Sequence, residues 1–339
     1  MKCLTALCCI SGLLALAPAA SASTTIEKVA YDGWNNCIRM SNGKVELVIT
    51  TDVGPRIIRF AFVGGDNVFS EDQNDIGKVG GNTWHGFGGH RLWLAPEANP
   101  RSYHPDNTPV KYRIHGDTVT LTPDLETTTG FQKQIDVTLD PDSNHVKVVH
   151  KITNHTPMIV ETASWAITVC RGDGESILPQ EDYQPHPGIP DFPGQRLDQR
   201  YFAPVRGLSL WSFTKLGDPR WVFTNKYIVL RGDQTVKGPE KIGIDDHKGW
   251  AAYARKGTLF VKRSAYRNGA TYPDRGCNFE TFTVSNIVEL ESLGPVAKLG
   301  PNESTSHTED WYLFDDVRFE NTDASIDKNV MPRVKATGK

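Results

Sequence analysis

The sequence predicts an all-β protein, and three observations carry that expectation. Apolar and polar residues alternate with period two through most of the chain. Short turns rich in Gly, Asn and Asp separate these runs at intervals of about ten residues. No segment of about 12 or more residues carries a convincing helical stripe. Together they imply a large antiparallel sandwich or barrel.

The amino terminus reads as a secretion signal. Lys2 opens it, Cys3 to Ala17 is almost wholly apolar, Pro18 breaks the run, and Ala20-Ser21-Ala22 supplies the small residues of a cleavage site. Residues 1–22 are therefore expected to be removed, leaving a periplasmic or secreted protein. Cys8 and Cys9 lie inside the apolar run, too early for a lipid anchor. No later stretch approaches the roughly 20 apolar residues that cross a bilayer, so no membrane insertion is expected. Three cysteines follow the signal, Cys37, Cys170 and Cys277, at wide spacing. They read as isolated buried thiols, or at most one disulfide.

Residues 23–323 read as a single strand-built domain. In Lys44 to Thr50, Val45, Leu47 and Ile49 share one face. Phe131 to Leu139 sets Ile135, Val137 and Leu139 against Gln132, Gln134, Asp136 and Thr138, and Val146, Val148 and Ile152 continue the pattern. Trp221 to Leu230, Trp250 to Arg255, Leu259 to Arg263, Phe279 to Val284 and Ile287 to Leu293 read as further strands. Asn42-Gly43, His115-Gly116-Asp117 and Lys256-Gly257 have the chemistry of tight hairpins. Residues 64–109 and 171–204 lack strand patterning but hold aromatics, and read as ordered loops that build a site. Within the first, the glycines and bulky aromatics of Ile76 to Leu94 argue for a structured loop. The polar segment 324–339 reads as a loose tail.

The formal charge is −3, or −4 once Lys2 leaves with the signal, and the charges are mixed along the whole length. A nucleic-acid partner ordinarily needs a basic stripe to meet the phosphates, and none is present. HExxH, a phosphate loop, a dinucleotide fingerprint and a GxSxG elbow are likewise missing, so no cofactor is expected.

Thr51-Asp52-Val53-Gly54-Pro55-Arg56-Ile57-Ile58-Arg59-Phe60 resembles the early strand of galactose-mutarotase-like proteins. Gly88-Gly89-His90-Arg91-Leu92-Trp93-Leu94-Ala95-Pro96-Glu97, with Val288 to Pro295 and Pro301-Asn302-Glu303-Ser304, resembles a family of exported bacterial proteins of unknown function with that fold. The likeness spans about residues 30 to 318. It implies a supersandwich of two large antiparallel sheets whose concave face receives a carbohydrate. Members include epimerases, polysaccharide lyases and non-catalytic domains, so shared fold leaves function open. Mutarotases use a Glu base and a His acid, with a second His and an Arg on the sugar. The resemblance puts the Glu at Glu280, after Cys277-Asn278-Phe279, and the Arg and one His at Arg91 and His90. The chain departs from the pattern at the acid: His155 falls in the turn Asn154-His155-Thr156-Pro157, and Ser164-Trp165 stands where related epimerases carry His.

Read on their chemistry alone, His90 and Arg91 follow a Gly pair that permits close backbone approach, and present an imidazole and a guanidinium to opposite faces. Glu97 can orient either one, and Trp84 and Trp93 make a sugar platform. Glu280, between Phe279 and Phe282, becomes a proton carrier if it is buried. Lys262, Tyr272, Glu309 and Trp311 are further groove candidates, with His307 on the same face as the last two. Against each stands a structural reading: an Arg91–Glu97 stability pair, a solvent-facing Glu280, exposed acidic strand faces. Glu289 and Glu291 share a face that could bind Ca²⁺, whereas Asp245-Asp246-His247 has no recognised metal spacing, and no metal ligand is assigned. The expected function is a carbohydrate-active enzyme in which Glu280 and His90 exchange protons with a sugar or uronate held by Arg91, epimerase-like or lyase-like. The alternatives are a non-catalytic glycan-binding protein and an interaction domain of the cell envelope.

Overall fold

The computed structural model describes residues 23–183, 186 and 203–338. The expected signal at 1–22 and much of the second long loop lie outside the described residues. In chain order the strands are β1 (Thr25–Tyr31), β2 (Trp34–Ser41), β3 (Val45–Thr50), β4 (Arg56–Phe62), β5 (Gly89–Ala95), β6 (Lys111–His115) and β7 (Thr118–Thr122). There follow β8 (Phe131–Leu139), β9 (His145–Asn154), β10 (Val160–Arg171), β11 (Glu175–Pro179), β12 (Leu208–Leu210), β13 (Trp221–Phe223) and β14 (Tyr227–Arg231). The last are β15 (Glu240–Ile244), β16 (Trp250–Arg255), β17 (Thr258–Arg263), β18 (Phe279–Val284), β19 (Ile287–Leu293), β20 (Ala297–Leu299) and β21 (Ser304–Phe314).

They form two sheets. The first has 11 strands in the order β1-β2-β3-β4-β5-β10-β19-β18-β15-β12, with β20 paired to β10. The second has 10, in the order β13-β14-β11-β16-β17-β21-β9-β8-β7-β6. Pairing of the expected kind is clearest in β8, whose residues alternate between buried and half-buried along the whole strand. The inward sets of both sheets meet in one core. Leu47, Ile49, Leu92 and Leu94 of the first oppose Val137, Val148 and Leu313 of the second. At its centre Phe60, Phe69, Phe260 and Trp311 pack with ring centroids 5.6–6.1 Å apart. Fully burying each such side chain is worth about 1.5–3 kcal/mol, so this quartet anchors the sheets face to face.

The turns follow their chemistry. Asn42 Oδ1 accepts from the backbone N–H groups of Lys44 and Val45, closing the β2–β3 hairpin. At Lys256-Gly257 both residues have positive φ, 48° and 87°, which suits the right-handed twist of β16 and β17. Cys37, Cys170 and Cys277 are buried free thiols. Among the described residues no helix is long and apolar enough to cross a membrane.

Two expectations are corrected. The stretch Ile76 to Leu94, read as loop throughout, ends in the central strand β5. Every residue of β5 is buried, on both faces, so its sequence shows no alternation. Segment 324–339, read as a loose tail, instead forms helices Asp323–Asn329 and Met331–Ala336. Thr322 caps the first by accepting from Ser325 N–H. Ile326, Val330 and Val334 recur every fourth residue and bury themselves against Ile177, Val229, Ala252 and Val261 on the outer face of the second sheet. That stripe is three residues wide in an otherwise polar stretch, which is why composition hid it.

Candidate functional site

The outer face of the first sheet carries a groove of about 440 Å³. Its floor comes from adjacent strands: Arg91 and Trp93 from β5, Trp165 and Ile167 from β10, Glu289 from β19, Phe282 from β18 and Lys241 from β15. Its walls are Trp84, Glu97 and Tyr103 on one side and Trp211, Phe213 and Pro239 on the other. A second hollow of about 240 Å³ continues past Trp84, Arg91, Ile287 and Glu289. Trp84, Trp93 and Tyr103 meet edge to face at 5.0–5.6 Å, and Trp165 extends the series at 5.4 Å from Trp93.

Two cations are set into this aromatic wall. Arg91 lies 4.6 Å from the Trp93 ring centroid, and its Nη2 donates to Glu289 Oε1 at 3.3 Å. Lys241 Nζ sits 4.7 Å from both Trp165 and Trp211. The same ammonium is 2.8 Å from Glu280 Oε2 and 2.9 and 3.2 Å from the two oxygens of Glu291. Register explains the meeting, because Glu280 lies directly opposite Glu291 and opposite Gly243. A Cβ at Gly243 would come within 2.5 Å of Cys277 Sγ and 3.3 Å of Glu280 Cγ, so only glycine leaves the room. Burial works against the charge on Lys241, but Glu280 and Glu291 hold it above the usual lysine range. Burial raises Glu280 well above the ordinary carboxylate value despite Lys241. Glu289 is raised by burial as well, with Arg91 opposing.

The expected residues divide between two places. Arg91, Trp84, Trp93 and Glu97 line the groove, Glu97 at the exposed rim with Tyr103 donating to it. Glu280 lies beneath Lys241, fully buried. His90, Lys262, Glu309 and Trp311 are not in the groove but between the sheets, because strand alternation sends His90 inward where Arg91 goes outward. There His150 Nδ1–H donates to the His307 carbonyl at 3.1 Å, which leaves its Nε2 to accept from His90 Nε2–H at 2.7 Å. His90 Nδ1 then accepts from the Thr168 hydroxyl at 2.9 Å. Lys262 Nζ donates to Glu309 Oε1 at 2.9 Å and to the Leu290 carbonyl at 2.9 Å, and Trp311 Nε1–H reaches Glu309 Oε2 at 2.8 Å. Burial pushes His150 and His307 down to about 3 and His90 well below its usual value, so all three rings are neutral. Tyr272 stacks on Tyr266 outside the groove lining, its hydroxyl accepting from Arg267 N–H at 2.8 Å.

Among the described residues, His90, His150 and Glu309 are the trio that brings ligand-type atoms within 4.8 Å of one another. Each of those atoms is already engaged in the closed network just described. Glu289 and Glu291 do share a face, but Arg91 holds one while Lys241 and Trp165 Nε1–H hold the other.

No protein-family model matches the chain, and no curated protein matches it. Solved structures do. A galactose mutarotase-like protein from Lactobacillus casei superposes with a TM-score of 0.51 at 11% identity, covering 82% of this chain and all of that one. The fold is galactose-mutarotase-like. A candidate mutarotase from Salmonella typhimurium gives 0.52 at 10% identity, over 89% of this chain and 97% of that one. A TPR-domain containing protein from Parabacteroides distasonis gives 0.52 at 14% identity, over 88% of this chain, which spans 54% of that longer protein. On this mutarotase-like frame, Tyr103, Trp211, Phe213 and Lys241 are groove residues that sequence reading did not single out. Tyr103 and the Trp211–Phe213 pair fall in unpatterned connections. Lys241 belongs to β15, whose five residues are all buried and so show no alternation.

Proposed function

We propose that the protein binds a carbohydrate in the groove on the outer face of the first sheet. One observation supports this above the others. Arg91 Nε and Trp84 Nε1 are buried N–H donors that find no acceptor in the protein. Buried donors are almost always paired, so orphans that share a groove call for a ligand, or water, with acceptor oxygens. Sugar hydroxyl and ring oxygens meet that demand, and the indole faces of Trp93 and Trp165 suit the C–H face of a pyranose. Two of the structural neighbours are described as mutarotases or mutarotase-like, in keeping with a sugar ligand. Tryptophan fluorescence, titrated with neutral sugars and uronates, tests the reading. Saturable quenching by a sugar, abolished in Trp93→Ala, is the expected result; a flat response across the panel would reject it.

A second reading, proton-transfer catalysis in the same groove, is favoured by the raised Glu280 beside Lys241. It is epimerase-like if anomers interconvert faster, as followed by optical rotation. It is lyase-like if ultraviolet-absorbing unsaturated uronates appear. Export to the periplasm or beyond, the expectation from residues 1–22, completes the proposal. Fractionation of cells carrying the full-length chain tests it, and retention in the cytoplasm would count against it.

A further inference from the structure

The groove comprises two hollows of different character. The first, of about 440 Å³, is walled by the rings of Trp93, Tyr103, Trp165 and Trp211. The second, of about 240 Å³, has no aromatic ring in its lining except Trp84, and takes its polar groups from Ser70, Asp72, Gln73, Asn74 and Asn286. Flat apolar faces suit the C–H face of a pyranose, whereas amides, a hydroxyl and a carboxylate suit a ring that presents its hydroxyls. Four residues belong to both hollows: Trp84, Arg91, Ile287 and Glu289.

The unpaired donors sit on that shared wall. Arg91 Nε and Trp84 Nε1 are buried without an acceptor. Among the described residues, no other residue lining either hollow has a buried side-chain nitrogen or oxygen left unpaired. Arg91 is fixed in place, with Nη2 bonded to Glu289 at 3.3 Å and its guanidinium 4.6 Å from the Trp93 ring and 5.8 Å from that of Trp84. Ligand oxygens that accept from these donors therefore lie where the hollows join, with space for a ring on either side. The linking and ring oxygens of two joined sugars fall in that place.

The second hollow also has a charge preference. Its lining holds two carboxylates, Asp72 and Glu289, and one cation, Arg91, which is already bonded to Glu289. Asp72 Oδ1 accepts from the backbone and side-chain N–H groups of Asn74 at 3.0 and 3.2 Å. Its Oδ2 is left open by Gly86, where a Cβ would come within 3.3 Å of that oxygen and near no other atom beyond its chain neighbours. A sugar hydroxyl donates well to such an oxygen, and a uronate carboxylate is repelled by it.

We propose that the groove takes a neutral oligosaccharide rather than a free monosaccharide, with one ring stacked in the aromatic hollow, the next in the polar hollow, and their linkage over Arg91 and Trp84. This rests on the sugar-binding reading above and adds chain length and charge to it. Calorimetric titration tests it, with glucose, galactose and mannose, the α- and β-linked disaccharides of each, galacturonate and digalacturonate. At least one neutral disaccharide is expected to bind at least about tenfold tighter than its monosaccharide, with no such gain from galacturonate to digalacturonate. Gly86→Leu, whose side chain would enter the second hollow beside Asp72, should cancel the gain and bring the disaccharide down to the affinity of the monosaccharide. Asn286→Ala, at an exposed position, should reduce the gain and supplies the second reading if Gly86→Leu folds poorly. Equal affinities for each monosaccharide and its disaccharides, a gain that survives the variants, or an equal gain for digalacturonate overturns the proposal and leaves the sugar reading standing. No binding by any sugar rejects both.

Discussion

His90 and Arg91 are adjacent in sequence and lie on opposite faces of β5, the imidazole 2.7 Å from His150 between the sheets and the guanidinium 3.3 Å from Glu289 in the groove. A strand permits no other arrangement, so an acid–base couple of His90 with Glu280 would need one side chain to pass through the sheet. The inward imidazole belongs to the core. His90→Ala is therefore expected to strand the His150 acceptor and the Thr168 hydroxyl, costing about 1–3 kcal/mol. The urea midpoint should fall while sugar affinity, per folded molecule, stays unchanged. A loss of affinity without a loss of stability would return His90 to the site.

Groove aromatics should behave in the opposite way. Trp93 touches Arg91, Trp84, Tyr103 and Trp165, and truncation to Ala removes both a stacking face and the surface that positions Arg91. Affinity should fall at least about tenfold, equivalent to about 1.4 kcal/mol. Arg91→Lys keeps the charge but loses Nε and the planar fork, and should weaken binding while Phe282→Leu leaves it within about threefold. Calorimetric titration of the three variants separates these effects.

Lys241 bridges Glu280 and Glu291. Removing one partner of a buried ion pair leaves an uncompensated charge and costs about 3–5 kcal/mol. Lys241→Met should therefore be strongly destabilised at neutral pH and regain part of the loss as the pH is lowered. The sign follows from Glu280, which burial already raises above its ordinary range: without the ammonium its folded pKa rises further above the unfolded one. The stability its protonated form contributes is then present at low pH and lost as pH rises. Equal destabilisation at pH 5 and pH 8 would contradict this.

The interior imidazoles titrate in the other sense. Burial lowers His150 and His307 from 6.5 to about 3. Between those values the unfolded chain binds protons that the folded chain refuses, so stability drops as pH falls through this window. Replacing His307 with Gln, which can still donate to Ser292, should flatten the slope of unfolding free energy between about pH 6.5 and pH 4 by one proton's share. An unchanged slope would mean that His307 is charged in the folded state.

Legibility in the sequence tracked solvent contact. β8 wets one face, so Phe131 to Leu139 alternates and could be read directly. β5 and β15 wet neither, and Lys241 could not be placed without its strand neighbours. Arg91, Trp84, Trp93 and Glu97 were recognisable because a guanidinium and a carboxylate among indoles have few bland explanations. Whether Glu309 and Lys262 faced the groove or the core depended on which side of their strands a second sheet would cover. That is a tertiary fact, and the period-two pattern is the same for both answers.

β21 lies between β17 and β9, in the middle of the second sheet, yet in chain order it comes after every other described strand of the two sheets. Until it leaves the ribosome, or if a stop codon removes it, both neighbours present open hydrogen-bonding edges beside a half-covered apolar face. Open edges of that kind invite pairing with other chains. Shortened products of this gene should accumulate as aggregates rather than as smaller folded proteins.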